Sequence, residues 1–344
     1  MKKWNINYVF RRIADLFHLS GKMKEQTSLD LYIHAYIRDA ATMQRTTIHG
    51  KYYAASTIKT LRSFQRLWDD FQKERTSRAD FKDIDMSFYH GFISFFQSKG
   101  HSVNTVGKTV KILKSILSAA ESDGANRYTI WKDRRFTPPY VESDSIFLTK
   151  EEVRRLSEID LSNLGKEYEK ARDIFLVGIW TAQRVSDYSR ISKESIRIIP
   201  RDGKENITYI DICQKKTGKA ISVPCSSELK KLLDKYGFEL PHINENTLNH
   251  HIKIICRIAG ITQTESIRLS RNGHSRIEFH EKWELVHSHT ARRTGATLMY
   301  LSGMDIYDIM KITGHSSPST LKRYIKADKV AFIEKVMDKY SYFK

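Results

Sequence analysis

The first third of the chain carries four stretches in which apolar residues recur at three- and four-residue spacing, the period of an amphipathic helix. The predicted helices start after Ser28, near the N-cap residues Ser56 and Thr57, near Asp85 and near Asn104. Gly100 is a C-terminal stop for the third. Four amphipathic helices with short connections predict a small α domain.

The remainder of the chain mixes helical and alternating patterns. A capping-box sequence at 149–152 opens a helix, and 168–181 is apolar on nearly every face. Alternating apolar residues at 196–199, 207–212 and 220–223 predict a small antiparallel sheet. Further helices are expected at 227–236, 247–259, 289–301, 305–312 and 318–325.

These patterns predict a mostly α protein with a small antiparallel β-sheet in its C-terminal domain. We expect a basic extension at 1–25, a helical domain at 26–122, a linker at 123–145 and a second domain at 146–344. The linker assignment rests on a Pro-Pro pair, several charges and no apolar stripe. The charged, irregular segment 261–284 is expected to form an exposed hairpin or loop.

Charge narrows the choice of partner. The 58 Lys and Arg residues exceed the 40 Asp and Glu residues, which gives a net charge of +18 and favours nucleic acid as the partner. No apolar run approaches the roughly 18 residues needed to cross a bilayer, and the N-terminal residues are too interrupted for a signal peptide. Three cysteines without a CxxC pair predict neither a disulfide framework nor a zinc site, so we expect a soluble cytoplasmic protein.

Four short sequences could carry chemistry. Residues 181–187 read TAQRVSD and place Arg184 where an apolar helix gives way to a turn, although a surface arginine at a helix end is the simpler interpretation. Lys216 lies beside Thr217-Gly218 in a predicted hairpin turn, and basic hairpins are common. His289 and Arg292 share a helical face at i and i+3.

The fourth sequence, GHSSPSTLKRY, presents His315 in a turn and Tyr324 nine residues later. Taken alone, a tyrosine near the carboxyl end is usually a packing residue. Together, however, two arginines, a lysine, two histidines and a tyrosine suit phosphodiester chemistry without a metal or other cofactor. Guanidinium groups bind phosphate oxygens bidentately, and a phenol can act as a nucleophile.

This ordered set of Arg, Lys, His-x-x-Arg, Gly-His and Tyr resembles the signature of the tyrosine recombinase (phage integrase) family. The QxKT sequence of the hairpin and the SHTARR sequence resemble those of integrases of Bacteroidetes mobile elements. The resemblance implies a two-domain clamp around duplex DNA, with a helical core-binding domain, and implies site-specific cleavage and rejoining through a 3′-phosphotyrosyl intermediate. Integration or excision of a mobile element is the expected role.

The resemblance also implies a role for each residue. Tyr324 would attack the phosphate, Arg184 and Arg292 would clamp it, and Lys216 would protonate the leaving 5′ oxygen. His289 would accept a proton or hydrogen-bond the phosphate, His315 would contact a phosphate oxygen, and Asp187 would orient its neighbours. The assignment of Lys216 rests on the adjacent Thr217-Gly218 and leaves Lys215 as an alternative; Lys219 also lies nearby.

The family's mode of assembly implies further partners. We expect a homotetramer on two paired DNA sites, formed by exchange of a C-terminal helix with the amphipathic pattern of residues 330–342, and accessory DNA-bending proteins are possible partners. Lys108, Lys111 and Lys114 on the fourth helix would face the duplex, or would form a solvated helix face. Association with the nucleoid follows from these expectations.

Two departures from the family pattern and two other functions stay open. The usual Thr-Gly-Leu-Arg reads Thr-Ala-Gln-Arg at 181–184, which predicts an altered packing environment at Gln183. The first alternative is a type IB topoisomerase, which uses the same chemistry without a paired site. The second is a catalytically idle DNA-binding regulator with the same fold. An RNA-binding module lacks any supporting signature.

Overall fold

The chain divides into two compact units. The computed structural model describes residues 28–142, 144–271 and 274–325, together with residues 333, 336 and 337. Of these residues, the first unit comprises 28–142, 269–271 and 274–276, and the second comprises 144–268 and 277–325. The predicted extension at 1–25 and most of the tail at 330–342 lie outside the described residues.

The first unit contains the four predicted helices, α1 (Leu29–Ala41), α2 (Ala55–Lys73), α3 (Met86–Ser98) and α4 (Val103–Ser122). Their apolar stripes form one core in which α2 and α3 contribute most of the aromatic rings. Helix α2 starts at Ala55, close to the predicted position, but the predicted N-cap residues are wrong: Ala54 occupies the N-cap position and has no side-chain cap. Ser56 and Thr57 lie in an exposed first turn, where water can satisfy the free N–H groups.

The segment predicted to be a linker differs from that expectation, because residues 123–142 fold as part of the first unit. Trp131, in a short 3₁₀ turn, and Phe136 are buried in the same core as the four helices. A Cβ at Gly107 on α4 would overlap the Pro139 carbonyl oxygen, so a glycine allows this segment to lie directly on the helix. Two isolated aromatic residues carry no periodicity, which is why the sequence pattern missed their burial.

The second unit surrounds one nearly all-buried helix. Its first part holds the helices α5 (Lys150–Glu158), α6 (Lys166–Thr181) and α7 (Val185–Tyr188), then the antiparallel strands β1 (Ile196–Ile199), β2 (Ile207–Cys213) and β3 (Ala220–Pro224) in the order β1-β2-β3. The helices α8 (Ser227–Lys235) and α9 (Glu245–Ile258) follow. The paired strands β4 (Thr264–Arg271) and β5 (His274–Glu281) confirm the predicted hairpin.

Four more helices complete the described part of the second unit: α10 (Lys282–Leu285), α11 (Ser288–Leu301), α12 (Ile306–Thr313) and α13 (Pro318–Lys322). Helix α6 packs against α9 and α11. Its residues 174–179 are all buried, and five of these six positions are apolar side chains, the other being Gly178. The predicted capping box is present, with Thr149 and Glu152 bonding each other's backbone N–H. In the described segments, no helix combines the length and apolar character needed to cross a membrane.

Candidate active site

The connection from α6 to α7 positions Arg184. Helix α6 ends with Ala182 in the left-handed conformation, at φ 51°, which turns the chain sharply. A Cβ at Gly295 on α11 would overlap the Ile179 carbonyl and lie 2.9 Å from the Ala182 Cβ. The glycine thus lets α11 approach this turn closely. Arg184 follows in the N-cap position of α7, with its side chain largely buried.

Asp187 links Arg184 to the lysine hairpin. Its Oδ2 lies 3.7 Å from the Arg184 Nη1, and its Oδ1 accepts the Lys215 backbone N–H at 2.8 Å. Arg190 Nη2 lies 3.4 Å from the same Oδ1. The carboxylate is buried, so it aligns one arginine and one end of the hairpin at the same time. Through these contacts Asp187 can orient Arg184 and the hairpin, the role that the family resemblance implies for it.

Arg292 is fully buried on α11, with 0% of its surface exposed. Its Nη1 donates to the Ala182 carbonyl at 2.9 Å and its Nη2 to the Thr313 carbonyl at 2.7 Å. Burial, followed by the positive charge of Arg184, lowers the pKa of Arg292 to about 10. Carbonyl oxygens fix the guanidinium without neutralising it, which leaves an oriented positive charge for an anion.

Two arginine donors in this region lack a hydrogen-bond partner among the described residues. They are Arg184 Nη1 and Arg292 Nε, and both atoms are inaccessible to solvent. Buried donors without partners carry a free-energy cost that a suitable acceptor would remove. Because the two guanidinium groups also repel each other, an anion placed between them would be bound by both charge and hydrogen bonds.

His315 adjoins Arg292 in a defined tautomer. Thr313 Oγ1 donates to the Ile309 carbonyl at 2.6 Å, so it must accept from His315 Nδ1, which lies 2.7 Å away. His315 Nε2 therefore carries no proton and accepts from Arg292 Nη2 at 3.3 Å. Burial, reinforced by Arg292 and Arg184, lowers the pKa of His315 to about 3, so the ring is neutral near pH 7.

Tyr324 lies directly beside these groups, just after α13. Its ring centroid is 4.7 Å from that of His315 and 5.5 Å from the Arg292 Cζ. Its backbone is fixed by bonds with Leu321 and Thr297. The predicted nucleophile therefore meets Arg292 and His315 in the same chain.

The hairpin between β2 and β3 presents three exposed lysines. It turns at Gly218, whose φ is 69°, and Lys216 lies near its tip, as predicted. Lys219 Nζ donates to Ser316 Oγ at 3.2 Å and lies 3.4 Å from the Gly314 carbonyl, so it is tied to the turn that carries His315. No bond from the Lys216 ammonium to another described residue is present, which leaves that group available to a substrate.

His289 occupies the first turn of α11, on the same helix as Arg292. The residue is exposed, but neighbouring groups partly desolvate its ring. This desolvation, followed by the charges of Arg293 and Arg292, lowers the pKa of His289. A neutral imidazole at this position can accept a proton or a hydrogen bond near pH 7.

Three buried polar residues that the sequence did not assign complete the site: Gln183, Gln214 and Thr313. Gln183 was identified only as a departure from the family pattern and Gln214 only as part of the lysine motif. The available signal was a polar residue directly after an apolar stretch and next to a motif residue. That signal does not reveal the partners, because they come from segments 31 to 129 residues away in the chain.

The three predicted DNA-binding lysines on α4 are not equivalent. Lys108 and Lys111 are exposed. Lys114 is half-buried, donates to the Phe136 carbonyl at 2.6 Å and lies over the Phe136 ring. Its ammonium therefore has a structural contact within the first unit.

Comparison with known proteins gives concordant results for both units. Residues 146–330 match the Phage integrase family, and residues 32–136 match the Phage integrase SAM-like domain. A tyrosine recombinase XerC of Roseiflexus sp. (strain RS-1) is 23% identical over 286 residues, which cover 79% of this chain and 83% of that protein.

Solved structures of recombinases share the fold. The XerH site-specific recombinase in a post-cleavage complex with its palindromic difH substrate aligns with a TM-score of 0.62 and 15% identity, over 92% of this chain and 97% of that one. A lambda integrase tetramer bound to a Holliday junction aligns with a TM-score of 0.57 and 14% identity, over 95% and 88% of the two chains. The family match spans more than half of the residues and includes every predicted catalytic position, so the chain belongs to the phage integrase family of tyrosine recombinases.

Proposed function

We propose that this protein is a site-specific DNA recombinase that cleaves and rejoins duplex DNA through a 3′-phosphotyrosyl intermediate. The observation that carries the proposal is the placement of Tyr324 against a buried guanidinium, Arg292, whose Nε has no partner among the described residues. A phenol beside an unneutralised, fixed positive charge is suited to attack on a phosphodiester held by that charge.

The scissile phosphate would bind between Arg184 and Arg292. The unpaired donors of the two side chains would meet its non-bridging oxygens, which removes their mutual repulsion and neutralises charge that develops in the transition state. Asp187 would keep Arg184 aligned, since its carboxylate is itself held by the Lys215 backbone N–H. Orientation without movement is what such a clamp contributes to the rate.

Proton transfer would accompany both bond changes. The Tyr324 oxygen bonds to phosphorus as the bond from phosphorus to the 5′ oxygen breaks, and neutral His289 accepts the phenolic proton. Lys216 donates a proton to the departing 5′ oxygen, which leaves as a hydroxyl. In the reverse reaction, a 5′ hydroxyl from another strand attacks the phosphotyrosyl ester, releases Tyr324 and rejoins the DNA. No energy source is needed, because the ester conserves the free energy of the broken phosphodiester bond.

The first unit offers two groups of exposed cations for the duplex. Helix α2 presents Lys59, Arg62 and Arg66 at one exposed groove of about 770 Å³, and α4 presents Lys108 and Lys111. Side chains of this kind contact phosphates and fix the register of a protein on DNA. We assign these two surfaces to non-specific backbone contacts in the first unit.

Recombination requires two paired sites, so we further propose assembly as a tetramer on specific DNA. The amphipathic pattern of residues 330–342 suits exchange of a C-terminal helix between neighbours, and the similar lambda integrase is a tetramer on its junction. Integration or excision of a mobile element, with DNA-bending accessory proteins, is the role that we assign to this assembly.

A covalent trap tests the chemistry. A library of duplexes with random sequence and one nick loses its short 5′-hydroxyl fragment after cleavage, so the protein–DNA adduct accumulates. We expect the wild-type chain to form an adduct that survives denaturation in the absence of added magnesium. Sequencing of the recovered DNA identifies the site.

The variant Tyr324→Phe should abolish the adduct while DNA affinity stays within about twofold. Tyr307→Phe is the matched control, since Tyr307 is an exposed tyrosine on α12, and it should react like the wild type. An adduct that persists in Tyr324→Phe contradicts the assigned nucleophile. Relaxation of supercoils without sequence preference would favour the topoisomerase, and binding without any adduct would favour the idle regulator.

A further inference from the structure

Two fully buried amides, Gln183 and Gln214, lie between the arginine clamp and the lysine hairpin. Both residues have 0% of their surface exposed. Gln183 follows the left-handed turn after α6, and Gln214 follows the last residue of β2. Neither takes part in the chemical steps above.

Every polar atom of the pair has a partner. The Gln183 Nε2 donates to the carbonyls of Thr181 at 3.0 Å and Ile312 at 2.8 Å. The Gln214 Nε2 donates to the Gln183 Oε1 and to the Thr313 carbonyl, both at 2.9 Å. Because these partners can only accept, both amide orientations are determined by the network.

The remaining hydrogen bonds of the pair reach Arg292 on one side and the hairpin of Lys216 on the other. The Gln183 Oε1 also accepts from the Arg292 Nη1 at 3.4 Å, and the Thr313 carbonyl is shared by Gln214 and the Arg292 Nη2. At the other end, the Gln214 Oε1 accepts from the Thr217 hydroxyl at 2.8 Å. Thr217 is the residue directly after Lys216, so a continuous chain of bonds runs from the guanidinium to the hairpin tip.

Packing around the pair is equally specific. Gly314, with φ 75°, lies so close that an added Cβ would be 2.6 Å from both terminal atoms of the Gln214 amide. The turn that carries His315 therefore rests directly on Gln214. The hairpin is joined to that turn a second time through Lys219 and Ser316.

We propose that Gln183 and Gln214 are positioning residues that hold the hairpin of Lys216 in register with Arg292. The proposal deepens the proposed function and rests on it. A buried polar network with every member satisfied rigidifies what it connects. An exposed lysine on a turn gains from such an anchor, because a proton donor is effective only when it stays close to the leaving oxygen.

Two substrates separate this role from a merely structural one. One is the selected duplex, and the other has sulfur in place of the 5′ bridging oxygen at the scissile phosphate. A leaving thiolate is a much weaker base than an alkoxide, so it departs without a proton donor. Lys216→Ala should greatly reduce the cleavage rate of the oxygen substrate and should reduce that of the sulfur substrate only slightly.

The variant Gln214→Leu should follow the same pattern. We expect single-turnover cleavage of the oxygen substrate to fall about 10–100-fold, because the acid loses its position. Cleavage of the sulfur substrate should stay within about threefold, with unchanged DNA affinity. Gln183 and Gln214 act through each other, so their effects should not add. The double variant Gln183→Leu with Gln214→Leu should therefore have the same ratio of oxygen to sulfur cleavage rates as Gln214→Leu alone.

Gln72→Leu provides the matched control. Gln72 is also a buried amide, with both ends bonded to Ala79, but it belongs to the first unit. It should lower thermal stability without changing the ratio of oxygen to sulfur rates. If Gln214→Leu is too unstable to assay, Thr217→Val removes the last bond of the chain from an exposed position and should change the ratio in the same direction by about twofold or more.

Three outcomes would overturn the proposal. They are a Gln214→Leu rate within twofold of wild type on oxygen, an equal loss on both substrates, and failure of sulfur to restore Lys216→Ala. The last result would refute the acid assignment, yet it would leave the phosphotyrosyl chemistry intact as long as the adduct still required Tyr324.

Discussion

The core of the first unit and the centre of the second are both shielded from water, but their contents differ. Between α2 and α3 lie stacked and edge-on aromatic rings, such as Phe71 and Phe92 with centroids 4.9 Å apart. Around Arg292 lie amides, hydroxyls and a second guanidinium. Burial of apolar surface stabilises a fold, whereas burial of polar groups costs free energy unless each group is paired.

Buried polar atoms without a hydrogen-bond partner among the described residues occur in both units, Asn126 Nδ2 of the first unit being one, but three of them lie together at the clamp of Arg184 and Arg292. The aromatic core of the first unit is built mainly from apolar and aromatic side chains, which need no charged partner. Around Arg292, three buried atoms have no hydrogen-bond partner among the described residues: Arg292 Nε, and Arg184 Nη1 and Asp187 Oδ2, which face each other at 3.7 Å. Such costs persist where binding of another group offsets them.

The largest effects are expected from one substitution in each of the two regions. Arg292→Lys should reduce the single-turnover cleavage rate by roughly 10²–10³-fold, because one ammonium cannot bond Ala182, Thr313 and a phosphate with the geometry of a guanidinium. Phe92→Leu should instead lower the free energy of unfolding by roughly 0.5–3 kcal/mol. Cleavage per folded molecule should remain near wild type.

Denaturant unfolding and adduct formation, measured on both variants, check these two expectations. Arg38→Lys serves as the control for the chemical change, since Arg38 is exposed on α1 and lies outside the two surfaces assigned to DNA. If Arg292→Lys cleaves within threefold of wild type, or if Phe92→Leu loses cleavage while folded, the separation between the two regions does not hold.

A smaller effect is expected from acid. Burial lowers the pKa of His315 to about 3 and that of His287 to about 4, so both are neutral in the folded chain at pH 5. In the unfolded chain they bind protons below about pH 6.5. Their contribution to the free energy of unfolding should therefore be fully present above about pH 6.5. It should fall as the pH drops toward 4, since the unfolded state then binds more protons than the folded state.

The loss from pH 7 to pH 5 should be at most about 2 kcal/mol for each histidine, and less because each ring remains partly solvated. Unfolding midpoints at the two pH values measure it. His315→Gln should show a smaller difference between the two midpoints than the wild type does. An equal difference would contradict the assignment of this pH dependence to His315.

The smallest effect concerns DNA affinity in the first unit. Lys108→Ala and Lys111→Ala should each reduce the slope of log binding constant against log salt by about 0.9 if each lysine contacts one phosphate. Lys114→Met should leave the slope near wild type, because that ammonium is held by Phe136. Binding titrations from low to high salt distinguish these results, and equal slopes for all four proteins would remove the lysines from the interface.

Much of the fold followed from local patterns. The stripes of α1 to α4, the capping box at Thr149 and the three short strands were confirmed because each depends on neighbours within a few residues. The family resemblance rested on types and spacing alone, and the family match confirms it. By contrast, the burial of Trp131 and Phe136 went unpredicted, since a single aromatic residue has no period to reveal its partner.

The sequence by itself determined which side chains were available for phosphate chemistry and in what order they occur. Only the tertiary structure decided that Gln183 and Gln214 bond each other, that Thr313 selects the proton position on His315, and that Lys114 serves the first unit. The physical reason is distance along the chain. Helical stripes and turns are set by residues a few positions apart, whereas these bonds join segments brought together only when the cores form.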